Sequence, residues 1–586
     1  MTLDGSIADI EAIFDRFQES GVAPGCAFGV IVDGELVHVG GRGTLRTDVP
    51  RTPDADSRFR IASMTKSFTA ATVLRLRDDG VLRLDDDVAA WVPELAAMSR
   101  WSGDSPPITI RSLLTMSAGF PTDDPWGDRQ QALDPDLFGR FLETGPELAW
   151  PPDTHFEYSN LGFAILGRVI ARAAGEPYAA VVERRVLGPL GLTSTTYDAV
   201  GVDPDQVALG YVRQDDAWIE QEMAGDGAFA PMGGLFSTVR DLARWVAMFT
   251  AAFPARDDPA GAAPLSRATL REMQQVQRAA PPELSWKAAS GPPNRFVFGY
   301  GFGLFVTLDV RRGRIVGHGG GYPGYGTHMR WHPASGIGVV GLANGRYAGI
   351  ADACREVLDL LVDRDVALSR RPATWPATLE ARGSIERLLE DWDDELAGRL
   401  FATNVDLDEP IGRRHAAIET IREVHGRLTP DDAEPVVSWS PAHLQWWLSG
   451  ERGRVQIEIL LSPERPPRVQ QFEMTSVPEP PDALVAIAER VAALLAWPGP
   501  SWPDDLALAG AIDRSSLDRE LRAAEALFGP VALGPVMSGN GGTEAAWRLR
   551  GERGDVTLSV EIDPADGTVH AVSLIPVTLA SPVHVS

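Results

Sequence analysis

Lysine is almost missing from this chain. Of its 54 Lys plus Arg in 586 residues only two are lysines, Lys66 and Lys287, and every other fixed cation is arginine. Cysteine is just as rare. Cys26 and Cys354 exclude a disulfide framework and fit a reducing compartment. The sequence contains no run of 18 apolar residues of the kind that crosses a bilayer. The first residues, MTLDGSIADIEAIFDRF, are acidic and patterned as an amphipathic helix, not as the basic-then-apolar stretch of a secretory signal. A cytoplasmic location without a membrane partner is therefore expected. Positive charge is scarce overall: 81 Asp plus Glu leave a net charge of −27, which disfavours nucleic acid as a partner. His155, His328 and His332 lack metal-ligand spacing, and neither a metal nor a cofactor is expected. What is present suits a folded protein of several domains: 44% hydrophobic and 23% charged residues over a length that exceeds one core.

Two β-rich runs at 26–40, CAFGVIVDGELVHVG, are joined by Asp33-Gly34, a dipeptide suited to a tight hairpin. The β signal returns near residue 304 in GLFVTLDVRRGRIVGHGGG and THMRWHPASGIGVVGLANG. The stretch between them is mostly helical, so the N-terminal hairpin and three or four later strands are expected to share one antiparallel sheet under a helical layer. This makes an α+β domain over 1–370. Residues 251–294, rich in Ala, Pro and charge, read as an insertion at the cleft edge that acts as a lid.

SRRPATWPATLEARGS at 369–384 reads as a linker because of its prolines. Beyond it the chain repeats itself: WWLSGERGRVQIEILLSP at 446–463 matches WRLRGERGDVTLSVEIDP at 547–564 at a constant offset of 101. Val455, Ile457 and Ile459, like Val556, Leu558 and Val560, alternate with mostly polar residues, as in a half-buried strand. Two α+β modules follow, over 384–478 and 483–580. They carry no evident catalytic cluster, and selection of substrate size or subunit pairing, a homodimer included, is their expected role.

The scarcity of lysine makes Lys66 informative. In RIASMTKSFTA, Ser63 stands three residues before Lys66, and Met64, Phe68, Ala71 and Leu74 recur at helical spacing up to Gly80. Ser63 is thus expected to open a helix with Lys66 on its own face. A serine hydroxyl needs a base to become a nucleophile. Lysine serves when burial lowers its pKa, whereas arginine keeps its proton. In a chain that writes arginine elsewhere, the one cation required to lose a proton is Lys.

SMTK at 63–66, YSN at 158–160 and HGG at 318–320 occur in the order seen in serine hydrolases of the penicillin-binding protein and class C β-lactamase family. ITIRSLLTMSAGF at 108–120, FEYSNLGFAILGRVI at 156–170 and PMGGLFSTVRDLARW at 231–245 extend the resemblance over about 20–345. The resemblance implies that Ser63 attacks a carbonyl, that Lys66 and Tyr158 transfer the proton, and that Asn160 orients Lys66 and the substrate amide. It implies an oxyanion hole made by the backbone N–H groups of Ser63 and Gly321, with His318, Gly319 and Gly320 beside the substrate.

His318 departs from the Lys of true β-lactamases, where a permanent cation anchors a carboxylate, and weakens such anchoring. With no signal segment in view, β-lactamase and cell-wall carboxypeptidase rank below a hydrolase of small peptide amides or esters, D-configured ones above all. The alternative is an acyl transferase or peptide cyclase of the penicillin-binding-protein-type thioesterase kind. In PTDDPWGDRQ at 121–130, Asp123, Asp124 and Asp128 beside Trp126 are candidates for binding a substrate ammonium.

Overall fold

The computed structural model describes residues 3–199, 202–259, 261, 263–280, 296–309, 312–367, 370, 373–510, 512–552 and 554–577. The chain divides into two compact units at residues 371–372.

The first unit is built on an eight-stranded antiparallel sheet. Its strands are β1 (Gly25–Val32), β2 (Glu35–Gly43), β3 (Arg278–Ala279), β4 (Phe296–Tyr300), β5 (Phe305–Asp309), β6 (Gly313–Tyr322), β7 (Tyr325–His332) and β8 (Ile337–Ala343). Their order is β2-β1-β8-β7-β6-β5-β4-β3, so the N-terminal hairpin joins the C-terminal strands through β1 and β8, paired from Cys26–Ala343 to Ile31–Gly338. The sequence signal supports the hairpin, with Asp33 and Gly34 both at positive φ. It undercounts the later strands: six, not three or four, complete the sheet, because short β3 and β4 have little periodicity to read. Within the expected lid, Arg267–Met273 is a helix and β3 extends the sheet edge, while residues 281–294 lie outside the described residues.

Alternation along β1 divides two cores. Phe28 and Val30 point toward α1 (Ile7–Glu19) and a C-terminal helix, Ile350–Asp363, with Ile10, Phe14 and Leu358. Ala27 and Ile31 point to the larger core, whose centre is α2 (Thr65–Asp78), with α3 (Asn160–Ala174) and α4 (Val239–Thr250) around it. Eleven of the fourteen α2 residues are buried, and Phe68 stacks on Trp245 at 3.9 Å between ring centres. A helix buried all round cannot shift without disturbing the core, which makes α2 a rigid mount for Lys66.

The second unit holds two four-stranded antiparallel sheets. Each follows two main helices: Pro376–Glu390 and Ile411–His425 before the first, Asp482–Leu494 and Arg514–Phe528 before the second. The repeat is visible in the register. Trp446 pairs with Ile457 as Trp547 pairs with Leu558, and Gly450–Gly453 matches Gly551–Gly554. Each sheet buries its own core. Arg548 and Arg550 of the second module hold the buried Glu434 of the first at 3.1 and 2.7 Å. The linker reading of 369–384 needs correction. Pro376 is the first residue of a helix that contributes Ala381, Ile385, Leu388 and Leu389 to the core, so the module starts before residue 384. Proline at that position forfeits no helical hydrogen bond, and a proline-based linker signal misreads it.

Candidate active site

Ser63 lies in a single 3-10 turn, Ala62–Met64, that leads into α2, two residues short of the α-helix it was expected to open. Ala62 is held at φ +48°, a left-handed conformation that costs a non-glycine residue on the order of 1–3 kcal/mol. Neighbours over-determine it: Met64 N–H donates to Ile61 O at 3.2 Å, and the Thr327 hydroxyl of β7 donates to the same oxygen at 2.9 Å. The turn is thereby anchored to the sheet.

Lys66 is fully buried, with no exposed surface. Its Nζ lies 3.0 Å from Ser63 Oγ, 2.7 Å from Asn160 Oδ1 and 2.8 Å from the Met232 carbonyl. Asn160 Nδ2 donates to Asp124 at 2.9 Å, which fixes the amide with its oxygen toward Lys66. Burial lowers the Lys66 pKa to about 8, against the opposing pull of Asp124, Asp128 and Asp123. Two of the three partners of Nζ can only accept. When Lys66 is neutral its two N–H bonds are therefore committed to Asn160 and Met232, and the lone pair is left facing Ser63 Oγ.

Tyr158 stands two residues before α3, and Ser63 is among the groups that act on its phenol, pulling its pKa down. Its ring lies 5.0 Å from Lys66 Nζ. Burial, with Tyr300 and Asp124 adding to it, holds the phenol well above its ordinary pKa. Of the two candidates for a base near neutral pH, Lys66 is the one whose basic form is populated.

His318 on β6 is 1% exposed. Its Nε2 meets the Tyr300 hydroxyl at 3.1 Å and its Nδ1 the Gly319 carbonyl at 2.6 Å. Burial first, then Lys66, lower its pKa to about 3, so it is a neutral imidazole held by neighbours rather than an anion anchor. The glycines after it are closely packed within the fold. A Cβ built on Gly319 would face His328 Nδ1 at 3.2 Å, and one on Gly320 would stand 2.3 Å from both Ile61 O and Thr327 Oγ1. Gly320 lets the sheet close on the turn that carries Ser63. Pairing of β6 with β5 ends at Gly317–Phe305, so among the described residues 318–322 have a strand partner only on the β7 side.

The acidic loop does not match the ammonium reading at Asp123. Its two oxygens accept from the N–H groups of Asn160 at 2.6 Å and Leu161 at 2.8 Å, so it caps α3, a place that favours a carboxylate. Asp124 is occupied by Asn160, and Trp126 packs on Phe141 and Phe229, ring centres 5.7 and 5.6 Å away. The loop positions Asn160. Sequence reading missed the Met232 carbonyl, since a backbone acceptor leaves no side-chain trace; the flagged segment PMGGLFST was its only signal. Among the described residues no group of three or more His, Cys, Asp and Glu is placed to hold a metal, and no helix is long and apolar enough to cross a membrane.

Residues 10–362 match the model of the Beta-lactamase family. The chain belongs to that family. Its relatives include the D-alanyl-D-alanine-carboxypeptidase/endopeptidase AmpH of Escherichia coli (strain K12), 28% identical over 322 residues, 53% of this chain and 77% of AmpH. Protein flp of Staphylococcus aureus (strain N315) is 27% identical over 241 residues, 40% of this chain and 47% of that protein. The octameric penicillin-binding protein homologue from Pyrococcus abyssi shares the fold, with a TM-score of 0.52 at 18% identity over 97% of this chain and 98% of that one. The likeness to that homologue spans both units. As a Beta-lactamase-family member the protein is a serine hydrolase, and its catalytic unit is the penicillin-binding-protein and β-lactamase fold.

Proposed function

We infer that this chain is an acyl-enzyme hydrolase of small peptide amides or esters, with a preference for D-configured residues. The observation that carries the reading is Lys66: buried, poised near pKa 8, and leaving its lone pair to Ser63 Oγ. Ser63 Oγ bonds to the substrate carbonyl carbon while its proton passes to Lys66 Nζ. The N–H groups of Ser63 and Gly321 receive the developing oxyanion. A two-residue turn closed by Tyr322 and Tyr325 supports this role for Gly321, since antiparallel alternation directs its N–H to the free edge of β6. As the C–N or C–O bond breaks, Tyr158 gives its proton to the leaving group and takes one back from Lys66. Water then releases the acid, and Ser63 regains its proton. The preference for D residues rests on the name of the relative AmpH, a D-alanyl-D-alanine peptidase. The free, buried Cys26 and Cys354 fit a reducing, cytoplasmic setting, and the neutral His318 supplies no cation to anchor the carboxylate of a β-lactam.

Incubation with D- and L-alanyl p-nitroanilides and esters, with and without an amine acceptor, tests the reading. Free acid from the D series is the expected product. New amide in preference to acid would establish acyl transfer instead, and turnover confined to the L series would refute the stereochemical part. Tyr158→Phe is expected to lower kcat about 10²–10⁴-fold, the usual worth of an acid–base group, with a smaller effect on KM. Steady-state kinetics on one ester measures it. We assign the two modules of 372–586 a non-catalytic role in substrate selection or pairing of copies; a truncated chain is expected to remain reactive at Ser63 toward a small ester.

A further inference from the structure

Tyr347 ties the two walls of the Ser63 site together. It follows β8 with a left-handed backbone, φ +47°, that non-glycine residues rarely adopt. Its N–H donates to the Tyr325 carbonyl at 3.1 Å, which holds this backbone against the β6–β7 turn. Its ring lies on Gly321: a Cβ built there would stand 2.6 Å from Tyr347 Cδ1. Its hydroxyl donates to Asp128 Oδ2 at 2.6 Å. Asp128 is only 3% exposed, and a buried carboxylate requires a donor, so this bond is not an incidental surface contact. Asp128 follows Gly127, whose backbone packs against Asn160, with a built Cβ 2.8 Å from Asn160 Cβ.

The contacts form a closed circuit around the nucleophile. Ser63 meets Lys66, Lys66 meets Asn160, and Asn160 packs on Gly127 beside Asp128. Asp128 meets Tyr347, Tyr347 covers Gly321, and Gly320 returns to Ile61 and Ala62. Gly320 and Gly321 face opposite sides of β6. Tyr347 meets Gly321 on the side of β6 away from Ile61 and reaches Asp128 of the 121–130 loop, so its side chain spans from the Gly321 end of the strand to that loop. Every other member of the circuit is buried or backbone; Tyr347 is 45% exposed and is the segment that a single substitution can open.

We propose that Tyr347 is a specificity-determining residue: its ring, tethered to Asp128, bars the Gly321 end of the cleft and admits only acyl donors with a small group beside the scissile carbonyl. The inference rests on the reading of Ser63 as nucleophile and Gly321 as oxyanion donor. The preferred substrates are then acetyl-, glycyl- or alanyl-sized, and bulky acyl groups enter only when the tether is released.

The test compares kcat/KM for p-nitrophenyl acetate and p-nitrophenyl phenylacetate in the full-length protein, Tyr347→Phe and Tyr347→Ala. Intact-mass detection of the acyl adduct on Ser63 accompanies each. The phenylacetate-to-acetate ratio is expected to rise about tenfold or more in Tyr347→Ala, the scale set by pocket sterics, and about threefold in Tyr347→Phe, which keeps the ring and loses the tether. A ratio within twofold of the unmodified protein in Tyr347→Phe, and in Tyr347→Ala where it folds, with Ser63 still acylated, overturns the proposal alone. Absence of a Ser63 adduct in the unmodified protein overturns the reading of the site and this proposal with it.

Discussion

Lys66→Arg is expected to reduce acylation by at least about 10³-fold although it preserves the charge. Acid–base groups contribute about 10²–10⁴, and the substitution also forces a planar guanidinium into a site with no exposed surface. The physical reason is the partner set. Asn160 Oδ1 and the Met232 carbonyl satisfy two donors whatever the protonation state, so the difference between an active and an inactive site is one proton on the bond toward Ser63. Arginine cannot release that proton. The same reasoning sets the pH profile. With Lys66 as the proposed base its unprotonated form is the active one, so kcat/KM is expected to rise with pH, close to tenfold per unit well below about 8, and to level above it. Pre-steady-state acylation rates from pH 5.5 to 9.5 measure both. A Lys66→Arg protein within tenfold of the original, or a rate that falls as pH rises through 7, contradicts the assignment of the base.

Gly320→Ala is the second large effect, and it touches no titrating group. The added methyl would stand 2.3 Å from Ile61 O and from Thr327 Oγ1 and 3.2 Å from Ala62 Cβ. These atoms belong to the nucleophile turn and to the hydroxyl that anchors it, so relief requires β6 and the Ser63 turn to move apart. A displacement near 1 Å between nucleophile and oxyanion donor costs about 10² in rate. Overpacking itself costs about 1–3 kcal/mol, which a core of this size survives. The expected result is a folded protein with kcat down about 10²-fold. Gly383→Ala, where nothing lies within 4 Å, serves as the control. Full activity in Gly320→Ala would mean that the contact between β6 and the turn has no part in catalysis.

Side-chain chemistry was legible in the sequence, and a distant backbone acceptor was not. The rarity of lysine pointed at Lys66, and a spacing of three predicted its approach to Ser63, found at 3.0 Å. The 101-residue offset forecast matching registers at Trp446 and Trp547. Asn160, 94 residues from Lys66, was reached only through the YSN motif of the resemblance, whereas the Met232 carbonyl, 166 residues away, belongs to no motif and no pattern at the period of a helix or strand reports on it. Asp123 misled because a carboxylate that caps a helix reads in sequence like one that binds a cation. Pro376 misled for a similar reason: proline breaks a helix interior and suits a helix start, and only packing tells the two apart. Tyr347 escaped notice because its importance lies in two contacts, Gly321 and Asp128, that the folded chain alone assembles.

The central claim is that Ser63 becomes covalently acylated, and peptide mapping after reaction with a fluorophosphonate or an activated ester tests it most directly. Trypsin cuts after Arg60 and Lys66, so the modified residue falls on the six-residue peptide IASMTK. The account predicts one adduct on that peptide, carried by Ser63, formed faster as pH rises toward 8 and absent from Ser63→Ala. An adduct on another residue, or equal labelling of Ser63→Ala, would contradict it.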